Sequence, residues 1–254
     1  MFFEKMKWPE INALSRNDIV VVCCLGSLEQ HSWHLPMITD SLIGEEIVRR
    51  LERCMPGELL CLPAIWLGCS SHHLSFAGTM SATLTTMLSV IRDITSSVAQ
   101  HGFRKLLFVN SHGGNQPAMS ASIQELGHEF PNMKIVGVTY WDVAKNELAA
   151  IRESEFGGMG HACELETSIV LAVAGELVDM SRAEKDGILA ESTYSRSEML
   201  ASSAVNVYKP MSEMSHHGGF GDPSLATAKK GESFLDAIVS GLSALCTDIL
   251  TERI

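Results

Sequence analysis

Residues 26–40, GSLEQHSWHLPMITD, carry several side chains that can bind a divalent cation. Glu29, His31 and Asp40 offer two carboxylates and an imidazole, and a second histidine, His34, lies among them. Carboxylate oxygen and imidazole nitrogen suit zinc, manganese or iron(II), whereas structural zinc sites typically use cysteine thiolates. The segment therefore predicts a metal site built for chemistry.

Two further segments carry candidate ligands. NSHGGN contains His112, and HACELETS places His161 and Glu164 three residues apart at a predicted helix start, where both side chains would point the same way. Two histidines and three carboxylates exceed what one ion with open positions needs, so a pair of ions bridged by Asp40 is the more economical arrangement. Such a pair lowers the pKa of a water held between the ions and polarises a substrate carbonyl, which is the chemistry of hydrolysis.

Each group also has a purely structural interpretation. Asp40 would cap the helix that follows it, and Glu166 would be a first-turn helix residue. Gly113 and Gly114 would form a turn or a weak phosphate-binding loop, although the glycine-rich nucleotide motifs are absent. The structural interpretation explains these groups one by one, whereas a metal site explains their common position after predicted strands. We therefore favour the metal site.

The pattern of apolar residues indicates the elements that position these side chains. Continuously apolar runs are typical of strands covered on both faces of a sheet. The predicted strands are residues 19–25, 58–64, 105–110 and 134–141. Apolar residues that recur at three and four positions predict helices. The predicted helices are residues 41–54, 83–101, 116–129, 163–174 and 231–250. Their alternation predicts parallel βαβ units, in which the loops after the strands face one crevice.

Composition limits the classes of function. With 254 residues, of which 46% are apolar, we expect one domain over residues 1–254, and we interpret residues 176–223 as an irregular excursion within it. A net charge of −11 disfavours nucleic acid as a partner. Seven scattered cysteines and the absence of a signal-like N-terminus or a long uninterrupted apolar run predict a cytoplasmic protein that does not bind membranes.

Five motifs in order give the chain a resemblance to the creatininase (creatinine amidohydrolase) family. They are GSLEQHSWHLPMITD, SSHHLSFAGTMS, NSHGGN, HACELETS and GGFGDPSLAT. The resemblance implies a three-layer α/β/α sandwich with a mainly parallel central sheet. It also implies a homo-oligomer, often a hexamer, and two divalent metal ions per chain, of zinc, manganese or iron.

The resemblance also implies roles for individual residues. Glu29 and His112 would bind one ion, His31 would bind the other, and Asp40 would bridge the two. His161 would donate a proton to the leaving nitrogen, a role that suits imidazole near neutral pH.

The fifth metal ligand is open in the sequence. Creatininase carries a glutamate two residues beyond the histidine of its NGHYEN motif, where this chain has Gly114. Glu164 is the natural replacement, since many relatives with a GG loop carry glutamate there, and Glu166 is the fallback.

The family resemblance predicts hydrolysis of a small cyclic amide, a formamide or a related polar carbonyl compound. The expected substrate-binding residues are Ser71, His73, Trp33, Gly113 and Trp141. Departures from the family pattern at Ser32, Trp33, Ala77 and Gly160 fall around the substrate, and the last of these weakens the case for creatinine. The alternatives are carbon–carbon hydrolysis of a cyclic diketone derived from a polyol, oxygen chemistry at a single iron(II) ion, and metal binding without catalysis. A nucleophile pair of Cys163 and His161 is disfavoured, because a small packed thiol is the commoner role.

Overall fold

Four strands form one parallel sheet in the computed structural model, which describes residues 1–189, 192, 194–195, 198–201 and 203–254. The strands are β1 (Val20–Leu25), β2 (Leu59–Cys61), β3 (Lys105–Asn110) and β4 (Lys134–Thr139). Their order across the sheet is β2-β1-β3-β4, and every pairing in it is parallel. The register pairs Leu25 with Asn110, so β1 and β3 end side by side at the carboxyl edge of the sheet.

Helices cover both faces of this sheet. They are α1 (Trp8–Asn12), α2 (Thr39–Cys54), α3 (Leu84–Gln100), α4 (Gln116–Glu129), α5 (Lys145–Ile151), α6 (Glu164–Ala174), α7 (Met211–Met214) and α8 (Ala228–Leu250). Alternate residues of β1 face opposite sides, as the period of two requires. Val20 and Val22 pack with residues of α2, α6 and α8, whereas Val21 and Cys23 pack with residues of α3 and α4. This arrangement confirms the predicted α/β/α sandwich with a parallel central sheet.

The predicted bounds of strands and helices agree closely with the structure where a clear apolar pattern defines the element. They differ where a residue such as proline ends the element early. The predictions for β3 and α4 match the structure. The strand predicted at residues 58–64 is only Leu59–Cys61, and Pro63, which has no N–H to donate, follows it. The predicted helix at residues 163–174 begins at Glu164, one residue later. The helices α1 and α5 were not predicted, because they are too short to show a periodic pattern.

The helix α8 is long and apolar enough, by length and composition alone, to cross a membrane. Its residues Phe234, Leu235, Ile238 and Leu242 are fully buried and pack in the same core as α2 and α6. A core helix of this length also has the length and composition of a membrane span, because one strongly apolar face raises its mean hydropathy. The burial of α8 identifies it as such a core helix.

Residues 176–223 form the irregular excursion that the sequence predicts, although residues 190, 191, 193, 196, 197 and 202 lie outside the described part of the chain. Its described residues contain short 3-10 turns and the single-turn helix α7. Asp186 and Gly221 exchange two backbone hydrogen bonds of 3.1 and 2.9 Å, which join the two halves of the excursion. The Asp186 carboxylate also accepts hydrogen bonds from the Ser215 hydroxyl and from the His216 and His217 amides.

We expect Asp186→Asn to lower the free energy of unfolding by about 1–3 kcal/mol at pH 7, because buried donors lose their charged acceptor. Burial opposes ionisation of Asp186, but hydrogen bonds from His217, His216 and Gly187 outweigh it and hold the pKa well below its ordinary value. A lowered pKa stabilises the fold above the unfolded value of about 3.9, and this stabilisation fades as pH falls below it. Urea unfolding at several pH values should therefore show the wild-type advantage shrinking below about pH 4. The exposed change Asp93→Asn is the control; an equal loss in both variants would contradict the prediction.

Candidate metal centre

Four elements bring acidic and imidazole side chains to the carboxyl edge of the sheet. The loop after β1 carries Glu29 and His31, and the loop after β3 carries His112. Asp40 is the second residue of α2, and Glu166 lies in the first turn of α6. The residue that caps α2 is Ile38, so Asp40 does not serve as the helix cap. Its carboxylate instead faces the imidazoles of His31 and His112.

These residues form two groups of potential metal ligands that share Asp40. Glu29, Asp40 and His112 form one group, and His31, Asp40 and Glu166 form the other. Within each group the ligand atoms lie within 4.8 Å of one another. All of these side chains are buried. The geometry matches two neighbouring cation positions with one bridging carboxylate.

Several of these atoms have no hydrogen-bond partner among the described residues. They are Glu29 Oε1, His31 Nε2 and Asp40 Oδ2, all inaccessible to solvent. A buried polar atom without a partner is costly, and native proteins rarely leave one unsatisfied. Divalent cations would satisfy all three atoms at once, and the donor set of oxygen and imidazole nitrogen suits zinc, manganese or iron(II). The residues present therefore fit a pair of metal ions.

Backbone carbonyls fix which nitrogen each histidine presents to this centre. His31 Nδ1 lies 3.1 Å from the Glu29 carbonyl oxygen, and His112 Nε2 lies 3.2 Å from the Cys69 carbonyl oxygen. A carbonyl oxygen only accepts, so each of these nitrogens carries the proton. His31 Nε2 and His112 Nδ1 consequently face the carboxylates, and each would offer a lone pair to a metal once its own proton has left.

The buried carboxylates and imidazoles of this cluster shift one another's pKa values. Burial favours the neutral form of the His112 imidazole, but the nearby Glu29 and Asp40 carboxylates outweigh burial and hold its pKa well above the ordinary value. Burial raises the pKa of Glu166 to about 7, although His31 opposes the rise. Three carboxylates in one buried cluster attract positive charge, which divalent cations would supply.

His161 forms a third group of potential metal ligands with Glu29 and His31, and its ring packs against the rings of His31 and His73 at centroid distances of 4.2 and 4.4 Å. Its Nε2 donates to the Gln30 carbonyl oxygen at 2.7 Å, which leaves the lone pair on Nδ1. Nδ1 lies 3.8 Å from Glu29 Oε1. Burial and the neighbouring His31 lower the pKa of His161 to about 3, so the ring is neutral at pH 7.

The structure does not bring Glu164, the favoured fifth ligand, to the centre. Its carboxylate accepts hydrogen bonds from Lys230 Nζ at 2.7 Å and from the amides of Glu153 and Ser154. The three-residue spacing predicts that His161 and Glu164 share one helical face. However, α6 begins only at Glu164, so His161 lies outside the helix. His161 instead pairs with Phe220 in an isolated antiparallel bridge.

Gly114 stands where creatininase carries its glutamate, and this chain has no room for a side chain at that position. A Cβ atom at Gly114 would collide with the Cys69 carbonyl oxygen and the His112 ring. Any side chain there would therefore displace His112. Glu166, two residues beyond Glu164, supplies a carboxylate to the same cluster from the opposite side of α6.

A cavity of about 380 Å³ opens onto the centre. Three of the expected substrate-binding residues line it, namely His73, Gly113 and Trp141. Ser71 and Trp33 are not among its lining residues. Ser32 has a positive φ of 57°, and Trp33 lies 49% exposed against the His217 ring, with a centroid distance of 4.4 Å. Trp33 and Ser71 therefore lie away from this cavity, and their predicted contact with substrate stays a prediction.

The cavity wall also contains residues that lie outside the motifs. They are Glu198, Met199, Met211 and Met214. All of these come from the irregular excursion, which has no periodic pattern to mark it. Cys163 is fully buried, and burial raises the pKa of its thiol well above the ordinary value, which argues against a nucleophile pair with His161.

Comparison with known proteins agrees with the fold. Residues 4–246 match the family model for creatininase, described as creatinine amidohydrolase. The chain belongs to the creatininase family. It is therefore a creatininase-family hydrolase of the amidohydrolase type, with a candidate metal centre formed by its own buried side chains.

Characterised relatives within the creatininase family differ in what they act on. The chain is 33% identical to the mycofactocin precursor peptide peptidase of Mycobacterium ulcerans over 225 residues, which cover 85% of this chain and 79% of the relative. It is 28% identical to the creatinine amidohydrolase of Pseudomonas putida over 197 residues, covering 72% and 75%. It is 23% identical to the 3-dehydro-scyllo-inosose hydrolase of Thermotoga maritima over 273 residues, covering 98% and 84%.

Solved creatininase-family structures share the fold over almost the whole chain. A candidate creatinine amidohydrolase from Bacteroides fragilis superposes with a TM-score of 0.83 at 25% identity, covering 98% of this chain and 96% of the other. A manganese form of creatininase has a TM-score of 0.79, and a Zn-Zn form has a TM-score of 0.77. Both are 25% identical and cover 96% of each chain.

Proposed function

We propose that this chain is a dinuclear metal-dependent amide hydrolase. The observation that carries the proposal is the pair of ligand groups that share Asp40, with Glu29, His31 and Asp40 each presenting a buried atom without a hydrogen-bond partner. In this proposal Glu29 and His112 hold one ion and His31 and Glu166 hold the other. Glu166 thus replaces Glu164 in the ligand set.

Metal ions held by these residues would supply an activated water and would polarise the carbonyl that the water attacks. The attack forms a carbon–oxygen bond, and the carbon–nitrogen bond breaks in a second step. The leaving nitrogen then needs a proton, which the attacking water has lost.

His161 is placed to move this proton. Its Nε2 is held by the Gln30 carbonyl oxygen, so its Nδ1 can accept the proton of the attacking water and deliver it to the leaving nitrogen. A neutral ring is the form that this sequence of steps requires, and burial keeps the ring neutral. The proton donor that the sequence predicts therefore acts first as an acceptor in this proposal.

His73 lies beside the Glu29 carboxylate. Its Nδ1 accepts a hydrogen bond of 2.7 Å from the Gln30 side-chain amide, so the proton resides on Nε2, which lies 3.2 Å from Glu29 Oε1. Gln30 also donates to the Gly218 carbonyl oxygen at 2.9 Å, which holds the amide in place. These contacts fix the His73 ring in the wall of the cavity.

Chelation followed by a substrate panel tests the proposed function. The purified protein would be stripped with a chelator, reloaded separately with Zn²⁺, Mn²⁺ or Fe²⁺, and assayed on cyclic amides, formamides, peptides and cyclic diketones. We expect the stripped protein to be inactive and amide hydrolysis to return with a divalent ion, under nitrogen as well as in air. Full turnover without metal, or turnover only with oxygen, would contradict the proposal, and metal binding without turnover of any class would favour a non-catalytic role.

We expect His161→Gln to lower kcat by about 10²–10⁴-fold on alkyl amides, because the proton carrier is lost. An anilide with a weakly basic leaving group needs the proton less, so its kcat should fall less. Metal content should stay unchanged, and the exposed change His128→Gln serves as the control. Equal losses on both substrates, together with loss of an ion, would show that His161 acts as a ligand.

A further inference from the structure

Gln30 lies between Glu29 and His31 in the chain, yet its side chain belongs to none of the groups of potential metal ligands. The residue is only 5% exposed, so its polar atoms need partners within the protein. Its side-chain amide contacts His73, and its backbone carbonyl contacts His161. Both histidines line the cavity at the metal centre. One buried residue therefore contacts two imidazoles of the cavity wall.

Two backbone groups fix the orientation of the Gln30 amide. Its Oε1 accepts a hydrogen bond of 2.9 Å from the Ser32 N–H, and its Nε2 donates to the Gly218 carbonyl oxygen at 2.9 Å. A backbone N–H only donates and a carbonyl oxygen only accepts, so rotating the amide by half a turn would break both hydrogen bonds. The side-chain nitrogen, and not the oxygen, consequently faces His73.

The backbone around this amide has uncommon conformations. Gly218 has a positive φ of 95°, and a Cβ atom there would collide with Gln30 Oε1, so glycine makes room for the side chain. Ser32 has a positive φ of 57°, and in this conformation its N–H reaches the same oxygen. Such conformations are costly and persist where other contacts hold them, commonly at functional sites. Gln30 is therefore held by more than one segment of the chain.

The Gln30 amide gives His73 a different role from that of His112. The inner nitrogens of both rings lie close to Glu29 Oε1, His73 Nε2 at 3.2 Å and His112 Nδ1 at 3.3 Å. The outer nitrogen of His112 faces the Cys69 carbonyl oxygen, an acceptor, whereas that of His73 faces the Gln30 amide, a donor, at 2.7 Å. His112 can therefore offer an inner lone pair to a metal, whereas a neutral His73 presents an inner N–H.

This N–H is available to a molecule in the cavity. Glu29 Oε1 has no hydrogen-bond partner among the described residues, so the short distance to His73 Nε2 is not a hydrogen bond. His161 presents the opposite group, because its Nε2 donates to the Gln30 carbonyl oxygen and leaves a lone pair on Nδ1. Gln30 Nε2 also lies 3.3 Å from His161 Nε2, but both nitrogens carry hydrogen and gain no bond. The cavity thus contains one imidazole that donates and one that accepts.

We propose that Gln30 is a positioning residue that holds His73 as a hydrogen-bond donor to the substrate oxygen. This inference rests on the proposed function, in which attack by water places negative charge on the carbonyl oxygen of the amide. A donor fixed before that charge develops stabilises the transition state more than the ground state. His73 touches the substrate, and Gln30 acts through His73.

Gln30→Glu keeps the shape of the side chain but replaces the amide donor with an acceptor. We expect kcat to fall about 10²-fold, the usual cost of losing one donor to a developing oxyanion, with KM and metal content unchanged. The fall should be equal on alkyl amides and on the anilide, because a donor to the carbonyl oxygen does not act on the leaving nitrogen. A larger fall on alkyl amides would show that Gln30 acts through His161, and loss of an ion would make it a support for the metal ligands; either result would overturn the proposal.

Gln124→Glu is the matched control, since Gln124 is exposed on α4, and it should keep the kinetics of wild type. Gln30→Met introduces no charge and has no donor, so it should give the same equal fall without an electrostatic effect of the new carboxylate. The double variant of Gln30→Met with His73→Asn tests the route of the effect. It should be no slower than His73→Asn alone; losses that multiply would overturn the proposal.

NMR of the histidine side chains separates this inference from the proposed function. Long-range ¹H–¹⁵N correlation spectra of the Zn²⁺-loaded protein, labelled with ¹⁵N-histidine, show which ring nitrogen carries hydrogen, and His73→Asn identifies the His73 signals. We expect Nε2–H in wild type and Nδ1–H in Gln30→Glu, whether or not any substrate is hydrolysed. If no amide is cleaved, the proposed function fails, yet this change would still support control of His73 by Gln30. Nδ1–H in wild type, or the same form in both proteins, would overturn the inference even if amides are hydrolysed.

Discussion

Replacing Asp40 with asparagine should remove both metal ions and lower hydrolytic activity by at least about 10³-fold, equivalent to the several kcal/mol that bound ions contribute to a transition state. Asp40 is the one carboxylate common to both ligand groups, with Oδ2 3.2 Å from His112 Nδ1 and Oδ1 3.4 Å from His31 Nε2. The amide of asparagine keeps the shape but loses the negative charge and one oxygen. Elemental mass spectrometry of wild type and variant measures the result directly.

Glu45→Gln is the control for this change, because Glu45 lies on the same helix and is exposed. It removes one carboxylate without touching the centre, so metal content should stay near that of wild type. Loss of only one ion in the Asp40 variant would mean that the ions have no shared ligand. Retention of both would remove Asp40 from the centre altogether.

Glu166→Gln should lower the metal content from about two ions per chain to about one and reduce activity by about 10²-fold or more. Glu166 is buried within ligand distance of His31 and Asp40, so the ion held by His31 depends on it. The Glu166 carboxylate also accepts a hydrogen bond of 2.6 Å from the Ala162 amide, which fixes its direction.

Glu164→Gln is the discriminating partner of this variant. Glu164 is equally buried and belongs to the same turn of α6, but it pairs with Lys230. Its loss should leave both ions in place and reduce stability instead, because breaking a buried pair costs about 3–5 kcal/mol. The opposite result, with metal lost from the Glu164 variant and kept by the Glu166 variant, would restore the ligand that the sequence favoured.

Much of the fold follows from apolar patterning in the sequence. The strands β1 and β3 are fully buried, so their sequences are continuously apolar, and their bounds are predictable to within one residue. The residues that follow these strands lie together at the carboxyl edge of the sheet. The convergence of Glu29, His31 and His112 could therefore be predicted. The number of subunits and the cytoplasmic location remain predictions from composition and family resemblance.

The identity of the fifth ligand is a point that sequence patterning leaves open. Whether Glu164 or Glu166 faces the metal centre depends on the residue at which α6 begins. The three-residue spacing predicts that His161 lies at the start of this helix, whereas the helix begins at Glu164. Ala162 has a positive φ of 51°, which separates His161 from the helix. The two glutamates therefore face different partners, and only the three-dimensional structure distinguishes them.

The cavity-lining residues of the irregular excursion could not be predicted from the sequence. Met199, Met211 and Glu198 come from an excursion held by specific contacts, such as the Arg152 guanidinium that lies 3.0 Å from the Glu198 carboxylate. Such contacts join residues far apart in the chain and leave no periodic pattern. Trp33 was expected at the substrate because of its place in a motif, whereas the turn at Ser32 directs it toward His217.

Anomalous diffraction from crystals of the Mn²⁺- or Zn²⁺-loaded protein tests the central claim most directly. The account predicts two anomalous peaks per chain on either side of the Asp40 carboxylate, one bound by Glu29 and His112 and the other by His31 and Glu166. A single peak, or a second peak bound by Glu164, would contradict it.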